Sequence, residues 1–364
     1  MDMISTVFAI AALLVAVVIS LGRPITVFMV FEPGLWLFRR FPLKRSIGLL
    51  FVAIFATTAL SNEPSRVVVL IVSIAGVLSA FAIFFNLDWL FPALPGICAV
   101  PVSVTEDEAT THARLSDNQL VVTVELNHER RAYPLDQMVI PRHLVHDWVG
   151  GEPIVVTYCA LCRTGLVFHA KMASKALLFK VVGVFRRNLI MEDHSTHTIW
   201  QQATGEAIHG PLSGRVLEML PAVQIPWEQA KQQDGMTLAT EPDNARFAIF
   251  ATHKGFSLLK KATEMIMTPG RTHLSKTISR HETVFGIQLN GEAKAYPLSS
   301  VRSLGTFFDT VGGIELELEF NEATEVLNVR RCDGAAPPVV EQHWWLGWNE
   351  FHPDTQLYAP RSVR

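Results

Sequence analysis

The apolar pattern divides the chain into two regions. Up to about residue 96 apolar positions run almost unbroken, in the stretches 4–21, 46–60 and 67–87, each about as long as a bilayer-crossing helix. A shorter apolar stretch, 25–38, is broken by Glu32, Pro33 and Gly34 and reads as an interfacial or re-entrant piece. Beyond the Leu94-Pro95-Gly96 joint the apolar positions alternate with polar ones, at the period of half-buried strands. The fold class expected is therefore α+β, mostly β. About three N-terminal transmembrane helices (1–96) precede a β-rich soluble domain.

An internal repeat organises the second region. Val124-Glu-Leu-Asn-His-Glu-Arg-Arg-Ala-Tyr-Pro-Leu135 returns as Ile287-Gln-Leu-Asn-Gly-Glu-Ala-Lys-Ala-Tyr-Pro-Leu298, and His146-Asp-Trp-Val-Gly-Gly151 returns as Phe308-Asp-Thr-Val-Gly-Gly313. Two blocks in the same order at nearly constant spacing predict two related units, 97–245 and 246–364. Within each, an Asn-led turn joins two strands, and a Gly-Gly turn precedes a buried strand at Ile154–Tyr158 or Ile314–Phe320. Further strands are expected at Ala176–Val182, Leu189–Met191, Val216–Leu220 and Phe247–Ala251. Pro226 should open a short helix, with a counterpart near Asn349–Asp354.

Composition excludes some classes of function. A net charge of −3 argues against non-specific nucleic-acid binding. Four cysteines are too few for a disulfide scaffold in 364 residues. There is no phosphate-cradling glycine loop and no G-x-S-x-G, so nucleotide-binding and serine-hydrolase readings lack support. The basic cluster Arg39, Arg40, Lys44 and Arg45 should be cytoplasmic, and two spans after it would return the large domain to that side.

Candidate chemistry gathers at Tyr158-Cys-Ala-Leu-Cys-Arg-Thr-Gly165, which reads as strand, tight turn and strand with two thiols at the turn. Cys159 and Cys162 have no equivalent in the second unit, where Glu319-Phe-Asn-Glu-Ala-Thr-Glu325 stands. A site is therefore expected in the first unit alone. Gly165 and the β-favouring run after Cys162 oppose the helix of thioredoxin-like enzymes, and Arg163 stands where c-type haem attachment needs histidine. Two uses remain. One is half of a thiolate-bound transition-metal site, zinc or copper, completed by His143 and drawing on His146, Asp147, His169, His194, His197 or Cys332. The other is a metal-free redox dithiol whose thiolate Arg163 and Arg142 would favour. The turn Arg186-Arg187-Asn188 reads as solvated, with anion binding as its other use. Residues 199–214 read as turns that could line a pocket, and Trp344, Trp345 and Trp348 as core.

The blocks R-A-Y-P-L, H-D-W-V-G-G, Y-C-A-L-C-R-T-G, I-W-Q-Q-A-T-G-E-A-I-H-G-P-L-S-G and F-H-P-D-T-Q-L-Y together resemble a bacterial family known only as a domain of unknown function. The resemblance covers roughly residues 115–360 and implies matching positions for Cys159, Cys162 and His143, with no established reaction. His194 and His197 depart from the family's pattern, which weakens them as general ligands. It also implies an exported or lipid-anchored domain, against the cytoplasmic side that the basic cluster favours.

The chain is thus expected to be an integral protein of the bacterial inner membrane, with the lipid bilayer as partner and a cysteine-based metal or redox site in its first soluble unit. The other expectation is a non-catalytic binding or scaffolding module of a membrane complex. A purely structural CxxC predicts that replacing both cysteines changes stability and nothing else.

Overall fold

The computed structural model describes residues 3–27, 41–61, 65–84, 94–95, 98–101, 115–138, 143–240, 257–258, 261 and 278–359. The expected strand at 247–251 lies outside them, as do Arg142 and much of the 25–38 segment. The chain forms two compact units, Met1–Leu90 and Phe91–Arg364.

The first unit holds three helices, α1 (Met3–Val27), α2 (Phe41–Leu60) and α3 (Arg66–Phe84). They bury small residues against one another, among them Ala9, Ala12, Ala16, Ala59 and Ala75, while Val18 and Val77 face outward. No helix among the described residues is long and apolar enough to cross a membrane. A span needs about 20 consecutive apolar residues in one helix, and the described part of no helix meets that requirement. This corrects the reading of 1–96 as about three transmembrane helices. The placement in a bacterial inner membrane, with its two opposed arguments about sidedness, falls with it.

The second unit is β-rich, with five sheets in a propeller-like arrangement in place of the expected α+β layout. Its strands in chain order begin with β1 (Leu94–Pro95), β2 (Cys98–Pro101), β3 (Leu120–Leu126), β4 (Glu129–Pro134), β5 (Leu144–Val149), β6 (Glu152–Cys159) and β7 (Thr164–His169). The ribbon β8 (Lys171–Met172) and β9 (Lys175–Ala176) leads to β10 (Phe179–Phe185), β11 (Asn188–Asp193), β12 (Ile199–Gln201) and β13 (Ala207–His209). Then come β14 (Met219–Leu220), β15 (Ala222–Pro226) and β16 (Met236–Thr240). The last seven are β17 (Thr283–Leu289), β18 (Glu292–Pro297), β19 (Thr306–Val311), β20 (Ile314–Asn321), β21 (Val326–Arg331), β22 (Val340–Trp344) and β23 (Gln356–Leu357).

One strand arrangement occurs twice. The order β15-β3-β4-β16 matches β22-β17-β18-β23, with antiparallel and parallel pairings in the same places. The antiparallel trio β5-β6-β7 likewise matches β19-β20-β21. The residues the two copies share form one tie between hairpin and turn. Asn127 Nδ2 donates to Gly150 O at 2.8 Å and Asn290 Nδ2 to Gly312 O at 2.8 Å. Glu129 accepts from Gly150 N at 2.7 Å and Glu292 from Gly312 N at 3.0 Å. Tyr133 and Tyr296 donate their hydroxyls to Asp147 and Asp309 at 2.9 and 3.0 Å. A Cβ at Gly150 or Gly312, both at positive φ, would sit 2.3 or 2.2 Å from the carbonyl oxygen of Leu126 or Leu289, so only glycine fits.

The copies differ in what covers the three-stranded sheet. Residues 170–221, between β7 and β15, supply the sheet β10–β13, whereas residues 332–339 alone separate β21 from β22. Phe179, Met191 and Trp200 of that extra sheet join Val155, Leu166 and Phe168 in one core cluster. β6 is consequently buried on both faces from Ile154 to Cys159, as a strand between two layers must be. β20 alternates instead, turning Glu315, Glu319 and Asn321 outward and Leu316, Leu318 and Phe320 inward.

Candidate functional site: a buried dithiol under two covers

The CxxC occupies the turn of the β6–β7 hairpin, where Cys159 pairs with Thr164. The amide of Cys162 donates to Cys159 O at 3.3 Å, and Arg163 takes the left-handed conformation, φ 52°. This five-residue turn sets the two sulfurs 3.4 Å apart, both as free thiols. Cys159 is 3% exposed and Cys162 fully buried.

Two elements close over the thiols. The first is the β10–β11 turn, where Arg186 and Arg187 both have positive φ. Two residues at φ > 0 make the primed turn that suits a two-residue hairpin, and it usually carries Asn or Gly. Arginine there costs roughly 1 kcal/mol per residue. The cost is offset by contacts: Arg187 Nη1 lies 2.7 Å from Glu350 Oε2, Arg186 Nε 3.2 Å from Glu350 Oε1, and Glu350 has no exposed surface. The turn so held accepts the Cys162 thiol proton at Arg187 O, 2.7 Å away. This corrects the reading of Arg186-Arg187-Asn188 as a solvated turn.

The second cover is the segment Val340–Phe351. Trp344 N donates to Cys162 O at 2.8 Å, and a Cβ at Gly347 would stand 2.7 Å from Cys162 Cβ. Thr164 Oγ1 meets His343 Nδ1 at 2.8 Å, and His343 Nε2 meets Glu341 Oε2 at 2.9 Å. With Thr164 fully buried, this chain of polar groups joins the two halves and leaves no room for a substrate at the hydroxyl.

Beneath the thiols lies an amide network. Asn188 Nδ2 is 3.5 Å from Cys162 Sγ and donates to Gln202 Oε1 at 2.6 Å, while Asn188 Oδ1 accepts from Gln201 Nε2 at 2.8 Å. Gln202 Nε2 donates to Thr157 Oγ1 at 2.9 Å.

These surroundings push the two thiols apart. Burial raises both, but at Cys159 it is outweighed by hydrogen bonds from the Cys162 side chain and from backbone groups at Leu189, Cys162 and Leu161, so its pKa falls below the usual thiol value. At Cys162 burial and the neighbouring Cys159 act together and raise the pKa well above it. The pair shares one proton, with the negative charge on Cys159.

The other expected site residues are used elsewhere. His143 is buried beside the same hairpin, its Nδ1 3.3 Å from Tyr158 O, and burial lowers its pKa to about 4 despite that carbonyl. His146 accepts Phe179 N–H at 2.8 Å through Nε2 and stacks on the Phe179 ring; burial, with His194 adding to it, lowers its pKa to about 4. Asp147 belongs to the structural tie and also pairs with Arg131 at 2.7 Å. His169 ends β7, about 16 Å along the strand from the turn. His194 is exposed on the turn after β11, and His197 there lies 3.0 Å from Glu192. Cys332 is exposed on the loop after β21. Among the described residues no group of three or more His, Cys, Asp or Glu is placed to hold a metal ion, so the thiols lack the further ligands that a zinc or copper centre takes.

Sequence reasoning missed Asn188 in its supporting role, Gln202, His343 and Glu350. Asn188 and Gln202 lay inside segments already singled out, the Arg-Arg-Asn turn and the glycine-containing 199–214 stretch. Nothing local marks Glu350 or His343, because their partners are more than 160 residues away.

Comparison with curated proteins and with solved structures finds no match. The family described as "Protein of unknown function (DUF3179)" matches residues 93–336, which takes in the whole hairpin and its first cover. The chain belongs to that family.

Proposed function

We propose that Cys159 and Cys162 are a thiol–disulfide exchange pair acting on a small disulfide. The observation that carries this reading is the pair of free sulfurs 3.4 Å apart with oppositely shifted pKa values. Closing to a bond of about 2.05 Å needs only a small movement of the turn. Cys159, as thiolate, attacks one sulfur of a disulfide RSSR, forming Cys159–S–S–R and releasing RS⁻. Cys162 then gives up its proton and attacks Cys159 Sγ, expelling the second RS⁻. In total two protein thiols lose two electrons and two protons, and RSSR becomes two RSH. With Cys159 only 3% exposed, the substrate must be small.

Trapping tests this. Cys162→Ala incubated with oxidised glutathione should hold one glutathione on Cys159, seen by intact-mass spectrometry, whereas the wild type should pass through that adduct to an internal disulfide. No adduct on Cys162→Ala and no disulfide in the wild type would overturn the proposal.

A further inference from the structure

The two copies of the fold differ at one groove. In the first copy, β1 lies parallel to β5, with Leu94 beside Val145 and Pro95 beside His146. β2 lies antiparallel to β16, with Cys98 to Pro101 beside Thr240 to Thr237. One extended stretch, Leu94–Pro101, thus adds a strand to each of two neighbouring sheet edges. Its sequence L-P-G-I-C-A-V-P has no charge and two prolines.

In the second copy the equivalent edges are β19 and β23. Lys294 pairs with Gln356 as Arg131 pairs with Thr237. Gln356, Leu357, Tyr358 and Ala359 therefore stand where Thr237 to Thr240 stand. Phe307 and Phe308 likewise stand where Val145 and His146 stand. Among the described residues neither β19 nor β23 has a strand on its outer side. A cleft of about 740 Å³ opens there instead, lined by Phe308, Asp309 and Thr310 from β19 and by Gln356 to Ala359 from β23 and beyond. Phe308 is 63% exposed at its rim. The charged groups within it are largely matched, with Lys294 Nζ 2.7 Å from Asp309.

We propose that this cleft docks an extended, uncharged, proline-bearing segment of a partner protein. The segment would add one strand parallel to β19 and one antiparallel to β23, as Leu94–Pro101 does in the first copy. Unpaired edges supply the main-chain hydrogen bonds that give such strand addition its affinity, and side-chain pockets give its specificity. Phe308 and Leu304 offer apolar contact, and the internally paired Lys294 and Asp309 leave little call for a charged ligand.

The test uses the full chain and a fluorescent peptide Leu-Pro-Gly-Ile-Ser-Ala-Val-Pro, followed by anisotropy and by amide hydrogen exchange. Saturable binding is expected, with slowed exchange in Thr306–Val311 and Gln356–Leu357 on saturation. Phe308→Glu should weaken binding about tenfold or more. The same peptide N-methylated at alternate residues should not bind, a control that leaves the protein untouched. Absence of saturable binding, protection confined to other strands, or full binding by the N-methylated peptide would each overturn the proposal. So would edge amides already protected in the free protein, which would mean that the chain itself or a second copy fills the groove.

Discussion

Cys159-Ala-Leu-Cys-Arg163 and Asn321-Glu-Ala-Thr-Glu325 occupy equivalent turns, each ending on a left-handed residue, with φ 52° at Arg163 and 53° at Glu325. The backbone is shared, yet one turn holds two buried thiols and the other is largely solvated. The difference lies in the covers. The 170–221 insertion and the Val340–Phe351 segment close over the first turn, and no extra sheet covers the β20 face in the second copy. A hairpin by itself does not tune a thiol; the dielectric and the hydrogen bonds of what is laid over it do.

Breaking the cover should give the largest effect. Glu350→Ala leaves two guanidinium groups of a strained turn without their buried carboxylate and should cost about 3–5 kcal/mol, read from urea unfolding. Gln232→Ala, at the corresponding exposed place in the first copy, should change stability by less than about 0.5 kcal/mol.

Acid should expose the next difference. His143 and His146 titrate at about 4 when folded and near 6.5 when unfolded. Their folded pKa is depressed, so their contribution to stability is present above pH 6.5 and is lost as pH falls from 6.5 towards 4. The loss is on the order of 3 kcal/mol for each histidine. The second copy has Gly305 and Phe308 at these positions and contributes nothing to it. Unfolding midpoints at pH 7.5, 6 and 4.5 should therefore fall steeply in the wild type and less steeply in His146→Gln, which keeps an acceptor for Phe179 N–H.

Transplanting the motif sharpens the comparison with a smaller change. Asn321→Cys with Thr324→Cys installs CxxC in the uncovered turn at little cost in stability. Both new thiols should be alkylated at least about tenfold faster than Cys162 and should show ordinary thiol pKa values. Equal rates at the two turns would mean that the covers do not control the chemistry.

The hairpin, its turn and the two thiols were legible because local signals define them: a β-branched run, a glycine three residues on, and a repeat that keeps the strand while dropping the cysteines. The shared Asn, Glu, Tyr, Asp and Gly positions were visible as a repeat, although their role as a hairpin tie was not. His146 and Asp147 resembled ligands because spacing cannot reveal that Phe179 N–H and Tyr133 already occupy them. Glu350 was invisible because long-range pairing leaves no local trace. The N-terminal apolar runs were read by length and hydropathy alone, and no helix among the described residues meets the requirement for a span.

The most direct test of the central claim is a redox titration of the full chain in glutathione buffers, with the Cys159–Cys162 disulfide quantified by mass spectrometry beside the transplanted pair. The account predicts a single two-electron transition for Cys159–Cys162, at a potential different from that of the exposed pair, with Cys159 the thiol that first carries glutathione. A pair that stays reduced at every ratio, or one whose two thiols react indistinguishably, would contradict it.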